Sequence, residues 1–317
     1  MTSLLNPADL APLQNLVFSP RRSVSGHYAG KHASPQRGSA VEFRDYRAYT
    51  PGDAPSAIDW KVFGRSDRMV VRQFDHQTDL NVHLVVDASA SMAYDGIDSG
   101  ASNPRPASRL KRWLGDNAPA PQVSKWAHAS RAASALAYLV IQQQDKAGLA
   151  VSRDGLHQSI APASTWPHLH HLAKTLSNIK PQGHASLADT LHALGQRTRR
   201  RGVFVVFSDL ADSPDPLLKA IDQLHHAGHE VLVFHTLHAD ELELPDLSET
   251  LFVDSETGET LHVQVDDVRA DYAKQMQRRI NTWRRSLTQR GADHTLLSTA
   301  TPVAQALRQY LFQRSRN

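Results

Sequence analysis

The sequence predicts an α/β protein: a doubly wound, mostly parallel sheet with helices on both faces, plus a small N-terminal subdomain of loops and short strands. Two observations predict it. From Leu80 onward, short β-branched apolar runs alternate with amphipathic stretches of helical period, the pattern of a parallel sheet buried between two helical layers. Before it, residues 25–78 carry glycines, prolines and aromatics with little helical periodicity, which reads as an appended unit. The expected division is 1–78 for that subdomain and 79–317 for the α/β domain, with an inserted loop at 93–123 rich in Gly, Pro, Ser, Asn and Asp.

Each element has its own reason. Pro7 to Leu16 can hold a short helix that ends before Ser19-Pro20. Leu80 to Val86 is a buried strand that ends at Asp87. Within the inserted loop, Arg109 to Leu114 can form a helical turn. Ser124 can cap a helix running to Gln144, with Ala132, Leu136, Leu139 and Val140 on one face. Strands follow at 147–153, 203–207, 230–236 and 294–298. Helices follow at 166–178, 186–199, 215–227, 267–290 and 303–313. The segments 250–254 and 260–265, joined by Glu256-Thr257-Gly258, read as a hairpin.

Composition narrows the function classes. Hydrophobic residues make up 40% and charged residues 21% of 317, a globular balance. The formal charge is +3, too weak to point to nucleic acid or an anionic membrane. The absence of cysteine excludes disulfides, thiolate metal sites and cysteine nucleophiles. The first twenty residues lack a basic leader followed by an apolar core, which argues against a signal peptide. No segment approaches the ~18 uninterrupted apolar residues of a membrane span. The expected compartment is the cytoplasm.

In a parallel sheet, ligands gather at the carboxyl ends of the strands. There the sequence places Asp87-Ala88-Ser89-Ala90-Ser91 and, on a later strand, Ser208-Asp209. One carboxylate and two hydroxyls at alternate positions can turn hard oxygens toward one point, an arrangement that suits Mg²⁺, with Mn²⁺ or Ca²⁺ as further candidates. Asp209 can add a second carboxylate, directly or through water. The alternative is that Asp87 and the serines only cap the segment that follows.

These residues resemble the metal-ion-dependent adhesion site of von Willebrand factor A domains. The stretch before them, Gly38-Ser-Ala-Val-Glu42-Phe43-Arg44-Asp45-Tyr46-Arg47-Ala-Tyr49-Thr-Pro51-Gly52-Asp53 and then Ile58-Asp59-Trp60-Lys-Val-Phe, is similar to the signature of the family known as domain of unknown function 58. The signature covers residues 25–92, and the rest of the chain matches in element order. The resemblance implies a von Willebrand factor A-like fold and a partnership with a MoxR-type AAA+ ATPase in assembling or activating a client protein. Two departures stand out. In the run Gly183-His184-Ala185-Ser186-Leu187, alanine falls where the family pattern has a threonine, so Ser186 would have to supply that hydroxyl. In Gly52-Asp53-Ala54-Pro55-Ser56-Ala57-Ile58-Asp59-Trp60, one carboxylate and one guanidinium of the pattern Gly-Asp-Asp-x-Arg-x-Ile-Asp-Trp are gone.

The expectation is therefore a non-enzymatic protein-binding module with a metal held by Asp87, Ser89, Ser91, Asp209 and Ser186. Its rival is a scaffold with a vestigial site. A third reading, an Asp87-dependent phosphoester hydrolase, lacks the second aspartate two residues on, where Ser89 stands. The chain also has no Gly-x-Ser-x-Gly elbow and no Gly-x-x-x-x-Gly-Lys loop. Glu42, Arg44, Asp45, Arg47, Asp53 and Asp59 read as a charge network tying the subdomain to the sheet, with Trp60 as its anchor. The 18 histidines include runs at 168–171 and 225–229 but no His-Glu-x-x-His, and they read as surface residues. Arg197 to Arg201 reads as a basic helix end, favourable to the dipole there.

Overall fold

The computed structural model describes residues 4–20, 42–50, 58–75, 80–96, 123–244, 249–253 and 260–316. It opens with α1 (Pro7–Leu10), where Asn6 accepts from Ala8 N at 3.0 Å, as an N-cap should, and a 3-10 turn carries the chain to Leu13. β1 (Glu42–Ala48) pairs antiparallel with β2 (Val70–Asp75) as a separate two-stranded sheet, and α2 (Trp60–Ser66) lies between them in sequence. The larger unit follows: β3 (Asn81–Asp87), α3 (Lys125–Gln142), β4 (Lys146–Ser152), β5 (Leu156–Ala163), α4 (Trp166–Asn178), α5 (Leu187–Arg197), β6 (Val203–Ser208), α6 (Pro214–His226) and β7 (Glu230–Leu237). It closes with α7 (Ala239–Leu242), the hairpin β8 (Glu249–Val253) and β9 (Thr260–Gln264), α8 (Val265–Gln289), β10 (Asp293–Ser298) and α9 (Val303–Arg316).

Six strands form one sheet in the order β10-β7-β6-β3-β4-β5, parallel throughout except where β5 runs antiparallel to β4. The two halves wind outward from the β3–β6 pair, so the topological switch point lies between those two strands. Side-chain alternation sorts the core into two layers. Val82, Leu84 and Val86 of β3, with Val205 and Phe207 of β6, face α3, α4 and α9, whereas Val85, Phe204 and Val206 face α5, α6 and α8. Each fully buried Leu, Val or Phe contributes about 1.5–3 kcal/mol by leaving water. α3 is buried on nearly every side, and its alanines at 129, 132, 133, 135 and 137 let it lie close on the sheet.

The structure departs from the sequence-based expectation at several points. β5 and the short helices α2 and α7 were not anticipated. Trp60 is no buried anchor: it is 58% exposed and, among the described residues, its ring meets Phe63 edge-on at 6.1 Å. The buried members of that segment are Ile58 and Asp59, and Asp59 caps α2 by accepting from Lys61 N at 2.9 Å. Several histidines expected on the surface are buried, among them His128, His229, His235 and His238. Residues 25–41 and 51–57 of the signature, residues 97–122 of the inserted loop with its turn at Arg109 to Leu114, and the hairpin turn at Glu256-Thr257-Gly258 lie outside the described residues.

Candidate functional site at the sheet switch point

β3 and β6 are neighbours, paired in parallel from Val82–Val203 to Val86–Phe207, so the residues that leave their carboxyl ends must meet. Asp87 ends β3 and is fully buried. Its Oδ1 accepts from Ser89 N at 2.9 Å and its Oδ2 from Ser208 Oγ at 2.7 Å. Ser89 Oγ and Ser91 Oγ lie 3.1 Å apart. Asp209, one residue past β6, accepts from the Ser91 hydroxyl and, at Oδ1, from Ala211 N at 3.2 Å. Four of the five predicted site residues therefore share one hydrogen-bonded cluster. The turn after Asp209 is tight: Leu210 adopts φ 52, a conformation costing a residue with a Cβ about 1–2 kcal/mol, and its N–H donates to Ser208 Oγ at 2.9 Å.

A second loop lies against the first. Gln182 N donates to Ala88 O at 2.9 Å, and Ala90 N to Gly183 O at 3.0 Å. Gly183 has φ +74, and a Cβ there would fall on the Asp154 carboxylate, whose Oδ1 accepts from His184 N at 2.9 Å. Ala185 brings no oxygen. Ser186, the fifth predicted residue, opens α5 without a side-chain capping bond, and its hydroxyl makes no hydrogen bond to the cluster among the described residues.

What sequence reasoning missed is a lysine. Lys125, the first residue of α3, is 2% exposed, and its Nζ lies 2.7 Å from Asp209 Oδ2 and 2.7 Å from Glu241 Oε1. Glu241 belongs to α7, where its other oxygen accepts from His238 N at 2.7 Å in a capping box. The ammonium also stands 5.9 Å from the centroid of the Tyr94 ring. Burial by itself would depress the Lys125 ammonium, but the charges of Asp209 and Glu241 hold it above its ordinary value. Burial would raise Asp209, yet Lys125 and the bonds from Ser91 and Ala211 keep that carboxyl below its usual range. Asp87 has no such partner: burial, then the Asp209 charge, push it up to about 7 against the bonds from Ser208 and Ser89.

This lysine competes with a metal for the site as it stands. Asp87, Ser89, Ser91 and Asp209 are the hard oxygen donors a six-coordinate cation takes. Two unit charges 4 Å apart repel by roughly 4 kcal/mol at an effective dielectric of 20, and a divalent ion doubles that. With the ammonium already on Asp209 and no hydroxyl at Ala185, a divalent metal does not fit beside Lys125. Among the described residues, no group of three or more His, Asp or Glu forms a metal-ligating cluster elsewhere.

The signature of the family described as "Protein of unknown function DUF58" matches residues 45–102 and 117–282, well over half of the sequence. The chain belongs to this family. An uncharacterized protein of Mycobacterium tuberculosis (strain H37Rv) is 29% identical over 275 residues, covering 85% of this chain and 78% of its own length. An uncharacterized protein of Mycobacterium avium is 36% identical over 89 residues, 28% of this chain and 52% of its own. Among solved structures, an aerotolerance-related membrane protein from Bacteroides fragilis is 14% identical, with a TM-score of 0.44 over 74% of this chain and all of that one. The BatB protein from Bacteroides thetaiotaomicron is 12% identical, with a TM-score of 0.43 over 75% of this chain and all of its own. The von Willebrand factor A domain of SpRpn10 is 11% identical, with a TM-score of 0.37 over 73% of this chain and 95% of that one. No helix among the described residues of this family member is long and apolar enough to cross a membrane.

One signal for Lys125 was present in the sequence. A lysine directly after the N-cap Ser124 sits at the positive end of a helix dipole, where a cation is disfavoured, so something else must hold it there. Nothing local in the sequence names Glu241, which lies 116 residues away.

Proposed function

We propose that this member of the family is a non-enzymatic protein-binding module that works in the cytoplasm with a MoxR-type AAA+ ATPase to assemble or activate a client protein, docking through the carboxyl end of its sheet. The observation that carries the reading is the cluster of Asp87, Ser89, Ser91 and Asp209 at the switch point, bordered by the exposed Ala93 and Asp95 of the first loop. Hydrolysis by Asp87 is disfavoured because that carboxylate is fully buried with both oxygens engaged, so it cannot reach a phosphorus atom.

Of the two forms this module can take, the Lys125 contacts favour a scaffold whose cluster is held together without metal. The metal-bridged form, with Mg²⁺, Mn²⁺ or Ca²⁺ on Asp87, Ser89, Ser91, Asp209 and Ser186, draws support from the donor set alone. The test is interferometry between this chain and a MoxR-type ATPase from the same genome. Ala93→Arg, which alters the rim and leaves the cluster intact, should weaken the complex at least tenfold. If the ATPase binds in no nucleotide state, or binds Ala93→Arg as well as wild type, the partnership through this face is wrong.

A further inference from the structure

We infer that Lys125 is the resident cation of this site: its ammonium takes the role that a divalent ion plays in an adhesion-type centre, and it keeps that ion out. The inference rests on reading the cluster as an adhesion-type site, not on the identity of any partner.

Three independent features place the charge there. Two carboxylates reach it from different strands, Asp209 just past β6 and Glu241 beyond β7, each at 2.7 Å. Such convergence on a 2% exposed ammonium is not incidental surface pairing, since a buried charge persists only where partners and hydrogen bonds replace its water. The lysine's own helix gives it no help, because the first turn of α3 presents the positive end of the dipole. Its backbone is also held, with Lys125 N donating to Tyr94 O at 3.0 Å, so the root of the side chain is tied to the end of the Asp87 loop. Lys125 thus links Tyr94, which follows the Asp87–Ser91 loop, to the Asp209 turn and α7, which is the work a bridging cation does.

A lysine differs from a bound ion in one respect that can be measured. It cannot be removed by a chelator, and its tether holds it at a high, fixed effective concentration against free metal. Removing its charge should leave a vacancy between Asp209 and Glu241, with the Ser91 hydroxyl bonded to Asp209 beside it, that a divalent ion can fill.

The experiment measures Mn²⁺ binding to the full chain by calorimetry, together with melting temperature in EDTA and in millimolar Mn²⁺ or Mg²⁺. Wild type should melt at the same temperature in all three solutions and bind Mn²⁺ no tighter than millimolar. Lys125→Met should melt lower in EDTA, recover when metal is added, and bind Mn²⁺ at least tenfold tighter than wild type. Lys125→Gln keeps a donor for Asp209 without the charge, and it should behave likewise should the methionine variant fail to fold. Metal rescue is the discriminating signal, because the loss of a merely structural lysine would not be repaired by Mn²⁺. The inference is overturned if wild type binds Mn²⁺ as tightly as the Lys125 variants, or if neither variant gains binding or stability from metal. Either result leaves the docking reading to be judged separately by Ala93→Arg.

Discussion

Two buried cations organise the described residues of this molecule, and they do so in different ways. Arg314 on α9 pairs with Glu230 of β7 at 2.7 Å and Asp293 of β10 at 3.3 Å, donates to Tyr310 Oη at 2.6 Å, and stacks 4.9 Å from the centroid of Phe18. Lys125 holds two carboxylates through a single nitrogen. A guanidinium is a rigid planar fork that makes several bonds in set directions, whereas an ammonium is a point charge on a flexible stem. The arginine therefore clips strands to a helix at the edge of the sheet. The lysine sits at the switch point, where loops rather than strands supply its carboxylates, and a small cation can stand in for it. Chemistry and position agree in each case: the fork lies in the scaffold and the point charge in the site.

Perturbations can break or sharpen that contrast. The largest effect is expected for Arg314→Met, which leaves Glu230 and Asp293 without their shared cation. A loss of about 3–5 kcal/mol in urea unfolding is the usual consequence of halving a buried ion pair, and metal should restore none of it. Acid comes next. His83, His128 and His294 are pushed down to about 4 and His235 to about 3, in every case chiefly by burial, so the folded protein keeps them neutral. The unfolded chain takes up their protons as pH falls through 6.5, which costs up to about 1.4 kcal/mol per pH unit for each histidine until the folded values are reached. Asp87, raised to about 7, has the opposite sign and adds stability over the same descent, but it is one group against four. Urea midpoints measured at pH 7.5 and pH 5.5 should therefore fall. An unchanged midpoint would mean that the histidines are not neutral in the folded state.

Lys125→Met in EDTA should cost roughly 2–3 kcal/mol, less than Arg314→Met because Glu241 is partly exposed and can regain water. Ser208→Ala removes the hydrogen bond to Asp87 and the one from Leu210 N, and should cost about 1–2 kcal/mol. It should also raise the Asp87 carboxyl further, a shift that carbon NMR of the side chain would detect. At the bottom of the scale, the Lys274–Asp271 pair at 3.2 Å is largely exposed on both sides, and Lys274→Ala should unfold indistinguishably from wild type.

Much of the fold was legible because its strands are buried on both faces. Runs such as Val203-Phe204-Val205-Val206-Phe207 have no polar face to disguise them, and the helices at 166–178 and 215–227 repeat their leucines at helical spacing. β5 escaped notice for the opposite reason. It is an edge strand with His157, Gln158 and Ser159 exposed, and its partner β4 alone determines that it is extended. The site divided in the same way. Asp87, Ser89 and Ser91 lie within five residues of one another, and Asp209 marks a strand end. Lys125 finds its carboxylates 84 and 116 residues away, a distance no local pattern bridges.

The clip at Arg314 also bears on the order in which the molecule assembles. Arg314 donates to the carbonyl of Ser19 across 295 residues of chain, while Leu13 and Phe18 are buried in the same layer as α9. The segment around Ser19 thus waits for one 295 residues further along. Contacts of such separation close only after the intervening chain is available, and they form late because loop closure must come first. Until then Leu13 and Phe18 lack the cover that α9 gives them, although α3 and its C-cap already hold this segment through Arg131–Asp9 and Gln143 Oε1–Phe18 N. That is a window in which a growing chain is exposed to aggregation and to chaperones. Shortening α9 should lengthen that window.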